Sequence, residues 1–123
     1  MFYKIKKISH IFSTFFIVSL ALISLICKTY HYKHTFSTGK WINHPAARTD
    51  IADNLLAKHP LTGMTLSEVE TLLGPETENA YFKRENNLVY YLGPERGILA
   101  IDSEWLVIEF QNGRVSKTYI TTD

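Results

Sequence analysis

A run of seventeen residues without a charge, 11–27 (IFSTFFIVSLALISLIC), constrains this chain more than any other feature. As a helix it lies at the lower edge of the length that crosses the hydrocarbon core of a bilayer. Lys4, Lys6 and Lys7 precede it. A basic segment followed by an apolar run belongs to a cleaved signal peptide or to an uncleaved anchor, and the cleavage site separates the two. Ser19, Leu20 and Ala21 only loosely imitate a small-x-small site, and the apolar run continues past them to Cys27. The expectation is therefore an uncut anchor over residues 1–28, in contact with the lipid bilayer through residues 11–27.

Cys27 is the only cysteine of the 123 residues, which excludes an intramolecular disulfide. Lipidation is disfavoured there, because the branched Ile26 stands where a lipoprotein signal has a small residue. Catalysis is disfavoured too, since no base lies beside that thiol in sequence.

Charge divides the chain in two. The first 34 residues carry five lysines and no acidic residue, whereas the rest carries eight Lys/Arg against twelve Asp/Glu, a net −4. An acidic soluble part offers no footprint for nucleic acid and is repelled by an anionic membrane surface. Three lysines and the terminal amine before the span favour an N-terminus in the cytoplasm. The rest of this single-pass cell-membrane chain is then expected outside it.

Residues 28–44 (KTYHYKHTFSTGKWINH) show no sustained helical or strand period, and residues 29–45 are read as a tether. Its Tyr30, Tyr32, Phe36 and Trp41 suit lipid headgroups, as amphipathic rings do, with docking of Trp41 on the folded domain the alternative. The domain itself is expected over residues 46–123. Ile51, Ala52, Leu55 and Leu56 form one apolar stripe of a first helix, which begins at Pro45 or Ala46 and is stopped after Lys58 by Pro60. A second, short helix is fully punctuated. Thr65 is its N-cap and Glu68 completes a capping box, Met64 and Val69 are placed as a hydrophobic staple, and Gly74 and Pro75 close it. Leu66, Val69, Leu72 and Leu73 would form its buried stripe.

Strands follow. Residues 88–92 (LVYYL) and 105–110 (WLVIEF) are rich in branched and aromatic side chains, and Tyr81 with Phe82 could begin a shorter strand. Asn112-Gly113 is a two-residue hairpin signal. It sets Phe110 opposite Val115, Ile108 opposite Lys117 and Leu106 opposite Tyr119, with Trp105 and Ile120 meeting on the other face. Lys117 then lands on an apolar face, so it must snorkel or a bulge must shift it. The order implies an α+β fold: an N-terminal transmembrane helix, then two helices packed on a three-stranded antiparallel sheet. The sheet's other face, with Val89, Tyr91, Trp105, Val107 and Ile120, is too apolar to be left bare and calls for the tether or a partner.

Residues with chemical potential are scattered. His31 and His34 are spaced as a metal pair on a helix would be, but no carboxylate or thiol lies near them in sequence. Glu95, Asp102, Glu104 and Glu109 crowd the strand region and could supply an acid-base pair, but Glu95 and Asp102 flank the loop 93–103 as a solvated turn and Glu109 alternates outward in its strand. Neither a nucleophile elbow nor a phosphate-binding glycine loop occurs. The expectation is a non-enzyme with no cofactor and no metal, whose candidate partner-binding residues are Tyr91, Trp105, Val107, Glu95 and Arg96.

Gly63-Met64-Thr65, Val69, Leu72-Leu73-Gly74-Pro75, the Tyr-rich strand and the strand-Asn-Gly-strand hairpin together resemble the BamE (SmpA/OmlA) domain family, over residues 46–121. The related β-lactamase-inhibitor-like proteins share that layout. The stretches 90–94 and 102–106 look more like membrane-anchored relatives than like the outer-membrane assembly factor. The resemblance implies two helices on a three-stranded sheet, action by binding other envelope proteins, and a scaffold or interaction role. Inhibition of an extracellular hydrolase is the alternative it suggests.

Overall fold

The computed structural model describes residues 1–123 and divides them into two compact units, residues 1–33 and 34–123. The first is one helix. α1 (Phe2–His34) is 33 residues long and buries none of them; at 1.5 Å per residue it measures about 50 Å. By length and composition it is long and apolar enough to cross a membrane, as a membrane anchor or a signal sequence is.

In the second unit the segment read as a tether proves to be structured. α1 continues to His34 and therefore contains His31, and α2 (Thr38–Asn43) follows after three residues, with the Ser37 hydroxyl accepting from the Lys40 N–H at its start. A six-residue helix is too short to display a period, and its stability comes from packing. Trp41 of α2 and Phe36 before it are buried in the core. Phe36 packs edge-on against Trp41 and His59, with ring centroids 6.0 and 5.0 Å away, and its N–H donates to Asn54 Oδ1 at 2.8 Å. Arg48 lies over the Trp41 ring at 5.0 Å and its Nε donates to the Trp41 carbonyl.

A 3-10 turn (Pro45–Ala47) leads into α3 (Arg48–Lys58), which buries Ile51, Ala52 and Leu55. α4 (Leu66–Leu73) starts at Thr65, whose hydroxyl accepts from the Glu68 N–H at 3.3 Å. It buries Val69 and Leu73, whereas Leu66 faces solvent. Gly74 ends it at φ 71° and ψ −168°, a region beyond the left-handed helix, and a Cβ there would stand 3.2 Å from Ile42. A side chain at this position would be strained by the backbone and crowded by Ile42.

The sheet has the order β1 (Asn87–Pro94), β2 (Ser103–Gln111), β3 (Arg114–Thr122), all antiparallel. Asn112 and Gly113 both have positive φ, 53° and 76°, as a two-residue turn matched to strand twist requires. Phe110 pairs with Val115 as the turn dictates. A bulge then intervenes after Glu109, so that Glu109 pairs with Lys117, Ile108 with Thr118, Val107 with Tyr119 and Leu106 with Ile120. This shift removes Lys117 from the apolar face, and it moves Ile120 to the inner face, where it packs on the core instead of meeting Trp105. Tyr81 and Phe82 form a turn instead of a strand.

The inner face carries Leu88, Tyr90, Leu92, Leu106, Ile108 and Val115, in one cluster with Phe36, Trp41, Ile51, Leu55, Val69 and Leu73. Tyr90 is its polar anchor. Its hydroxyl donates to the Gly74 carbonyl at 2.9 Å, which ties the end of α4 to β1, and burial pushes its phenol well above the ordinary range, reinforced by Glu70 and Glu76. The fold is thus α+β as expected, with a third helix, α2, added to the helical layer.

Candidate docking surface

The outer face of the sheet is covered by the chain's own loop. The Thr77 N–H donates to the Val89 carbonyl, the Val89 N–H to Glu76 Oε2, and the Tyr91 N–H to Thr77 Oγ1, so residues 76–77 occupy the free edge of β1. The chain then turns at Asn79, φ 53°, and lays Ala80 over Val89 and Val107. Lys83 fixes the return, bridging Glu76 at 2.7 Å and the Asn87 carbonyl. Val107 is consequently fully buried. It was expected to touch a partner, and it cannot: it packs inside this small second core.

Around that core the cover is incomplete, and a chain of four rings remains at the surface. Tyr91 packs edge-on against Trp105 at 5.1 Å, Trp105 against Phe82 at 6.4 Å, and Phe82 against Tyr81 at 4.9 Å. Trp105 and Phe82 are half-buried, while Tyr91 and Tyr81 are 37% and 74% exposed. Trp105 is oriented by its indole N–H, which donates to Asp123 Oδ2 at 3.1 Å, and the other carboxylate oxygen accepts from the Ser103 N–H at 2.9 Å. These two donors, the Ser103 amide first, hold the Asp123 carboxyl below its usual range. Tyr91 and Trp105 are cross-strand partners in β1 and β2, so both sequence candidates fall on one patch.

Beyond the pair the hairpin projects as the loop 95–102. The Glu95 N–H donates to the Asp102 carbonyl at 2.8 Å and closes its base. Arg96 is a staple, not a free contact: Nη1 reaches Asp53 Oδ2 at 2.7 Å and Nε reaches Glu104 Oε2 at 2.9 Å, joining the loop to α3 and β2. Hydrogen bonds to Asp53 and then Glu104 hold its pKa above the ordinary value for arginine. The tip is apolar. Ile98, Leu99 and Ile101 are 103%, 78% and 79% exposed, although large aliphatic side chains are normally drawn inside.

Two of the carboxylates weighed for acid-base chemistry are held in contacts within the fold. Glu104 is engaged by Arg96, and Glu109 accepts from the Tyr119 hydroxyl at 3.1 Å. No group of three or more His, Cys, Asp or Glu side chains converges on a metal-sized site. Cys27 is exposed on α1.

Sequence reasoning missed Tyr81 and Phe82 as members of the patch, the Asp123 clasp, and the exposure of Ile98, Leu99 and Ile101. The last had a visible signal: an aliphatic cluster in a loop bounded by Gly97 and Ser103, outside any helix or strand period. The chain matches no protein-family model, no curated protein and no solved structure.

Proposed function

We propose that this chain is a membrane-anchored, non-catalytic interaction module of the cell envelope, built on a BamE-like domain. α1 stays uncut and spans the membrane with its N-terminus in the cytoplasm, and the acidic folded unit works on the opposite side. The observation that carries the reading is the row of rings Tyr81, Phe82, Trp105 and Tyr91, fixed from beneath and left half-open at the surface. Aromatic side chains held in one conformation bury large area with little loss of entropy, which makes them the usual anchors of protein interfaces. The partner is another envelope protein. Affinity capture from detergent-solubilised membranes recovers it with the native chain and loses it with Trp105→Ala, while circular dichroism of the variant is unchanged. Equal recovery by the variant removes this surface from the reading.

A second reading rests on the stapled, projecting loop 95–102, which has the form of a plug for the cleft of an extracellular hydrolase. Purified protein then inhibits such a hydrolase from the same envelope, and Leu99→Asp abolishes the inhibition. No inhibition across those enzymes eliminates it.

A further inference from the structure

Three large aliphatic side chains at the end of one short loop are exposed to water, and the base of that loop is pinned to the fold. Its base is closed by the Glu95 N–H to Asp102 carbonyl bond, its first side is fixed by Arg96 to Asp53 and Glu104, and its second by the Ser103 N–H to Asp123. Ala100 holds a positive φ of 36° at the tip. Tyr91 and Trp105 stand on the strands directly below it. Aliphatic residues at a tip with tyrosine and tryptophan behind them follow the polarity gradient of a bilayer interface, acyl chains first and headgroup level next.

The chain also carries a means of reaching such an interface. Only Thr35 separates His34, the last residue of α1, from Phe36, which is already part of the folded core. So short a connection leaves little chain with which to separate an α1 that spans the membrane from the folded unit. Charge narrows the kind of surface. Residues 97–101 carry no charge, Glu95 and Asp102 flank them, and the one cation of the loop, Arg96, is committed to two carboxylates. Nothing there favours anionic headgroups.

We infer that the tip Ile98, Leu99 and Ile101 inserts into the zwitterionic surface of the bilayer that α1 crosses, as a second point of attachment for the folded unit. The inference rests on α1 being a retained anchor and is independent of any protein partner. Insertion reaches about 5–10 Å into the headgroup and acyl boundary.

Spin labels on the full chain in phosphatidylcholine vesicles test it. A nitroxide on native Cys27 reports whether the anchor is in the bilayer. On a Cys27→Ser background, a nitroxide at Leu99→Cys is expected to be relaxed more by oxygen than by an aqueous nickel chelate, whereas one at Asn112→Cys, in the opposite turn, shows the reverse. Ile98→Asp in the Leu99→Cys chain returns the label to water, and adding phosphatidylglycerol to the vesicles reduces its oxygen preference. A label at residue 99 as accessible to the chelate as that at residue 112, with Cys27 in the bilayer, overturns the proposal. So does a label protected only when another protein is added. A Cys27 label in water overturns the anchor reading, and this inference with it.

Discussion

The two faces of the sheet are closed by different means, and the two tryptophans mark the contrast. Trp41 projects from α2 into the inner side, fully buried, with Tyr90 5.9 Å away and Arg48 over its ring. Even its indole nitrogen is sealed off without a hydrogen-bond partner. Trp105 on the outer side keeps its nitrogen bonded to Asp123 and is only partly buried. Helices carry wide apolar stripes and can seal a face completely. A loop lying on a sheet seals only what its few side chains reach, here Val89 and Val107 beneath Ala80. The inner face therefore holds the fold together, and the outer face is left with rings available for contact.

The largest effect that tests this contrast comes from removing each tryptophan in turn. Trp41→Ala is expected to cost about 3–5 kcal/mol, the range for deleting a buried aromatic side chain. Trp105→Ala forfeits two edge-on ring contacts worth about 0.5–1.5 kcal/mol each. Urea unfolding in detergent micelles, followed by circular dichroism, measures both. Equal losses make the outer cluster a second structural core and break the comparison.

A smaller effect sharpens the account of the inner face. Because burial raises the Tyr90 phenol above its value of 10.0 in the open chain, the unfolded state loses that proton first. Its contribution to stability is complete below about pH 10 and falls as pH rises beyond it. Tyr90→Phe removes this alkaline slope and, by deleting the bond to the Gly74 carbonyl, lowers stability near neutrality by about 1 kcal/mol. A slope that survives in Tyr90→Phe assigns the alkaline sensitivity to another group.

The smallest effect lies on the outer face. The Asp123 carboxyl is held below its open-chain value of 3.8, so the clasp on Ser103 and Trp105 is intact above that value and released as pH falls through the lower, folded one. Trp105 fluorescence should change in that acidic window and stay flat in Asp123→Asn. An identical acid response in that variant assigns it to some other carboxylate.

Much of the inner face was legible because its signals are periodic or local. The capped helix, both long strands and the Asn112-Gly113 turn follow from spacing and turn chemistry, and of the two outcomes open to the misplaced Lys117, snorkelling or a bulge, the bulge is found. The outer face was legible only in part. Tyr91 and Trp105 were found from strand alternation, but a loop that crosses a sheet has no period, so the burial of Val107 and the recruitment of Tyr81 and Phe82 left no mark in the sequence. α2 was mistaken for a tether for a related reason: six residues make less than two turns, and what recruits Phe36 and Trp41 is a core assembled from distant segments.

The short passage between α1 and α2 has a mechanical and a proteolytic consequence. Thr35, Phe36 and Ser37 are the only residues between the two helices, and Phe36 is clasped by Asn54 and by the rings of Trp41 and His59. A protease that sheds surface domains needs an extended, accessible stretch of several residues. This junction offers none, so cleavage here would first require Phe36 to be pulled from its seat. A pull on α1 would likewise reach Phe36, and its bond to Asn54 of α3, through Thr35 alone.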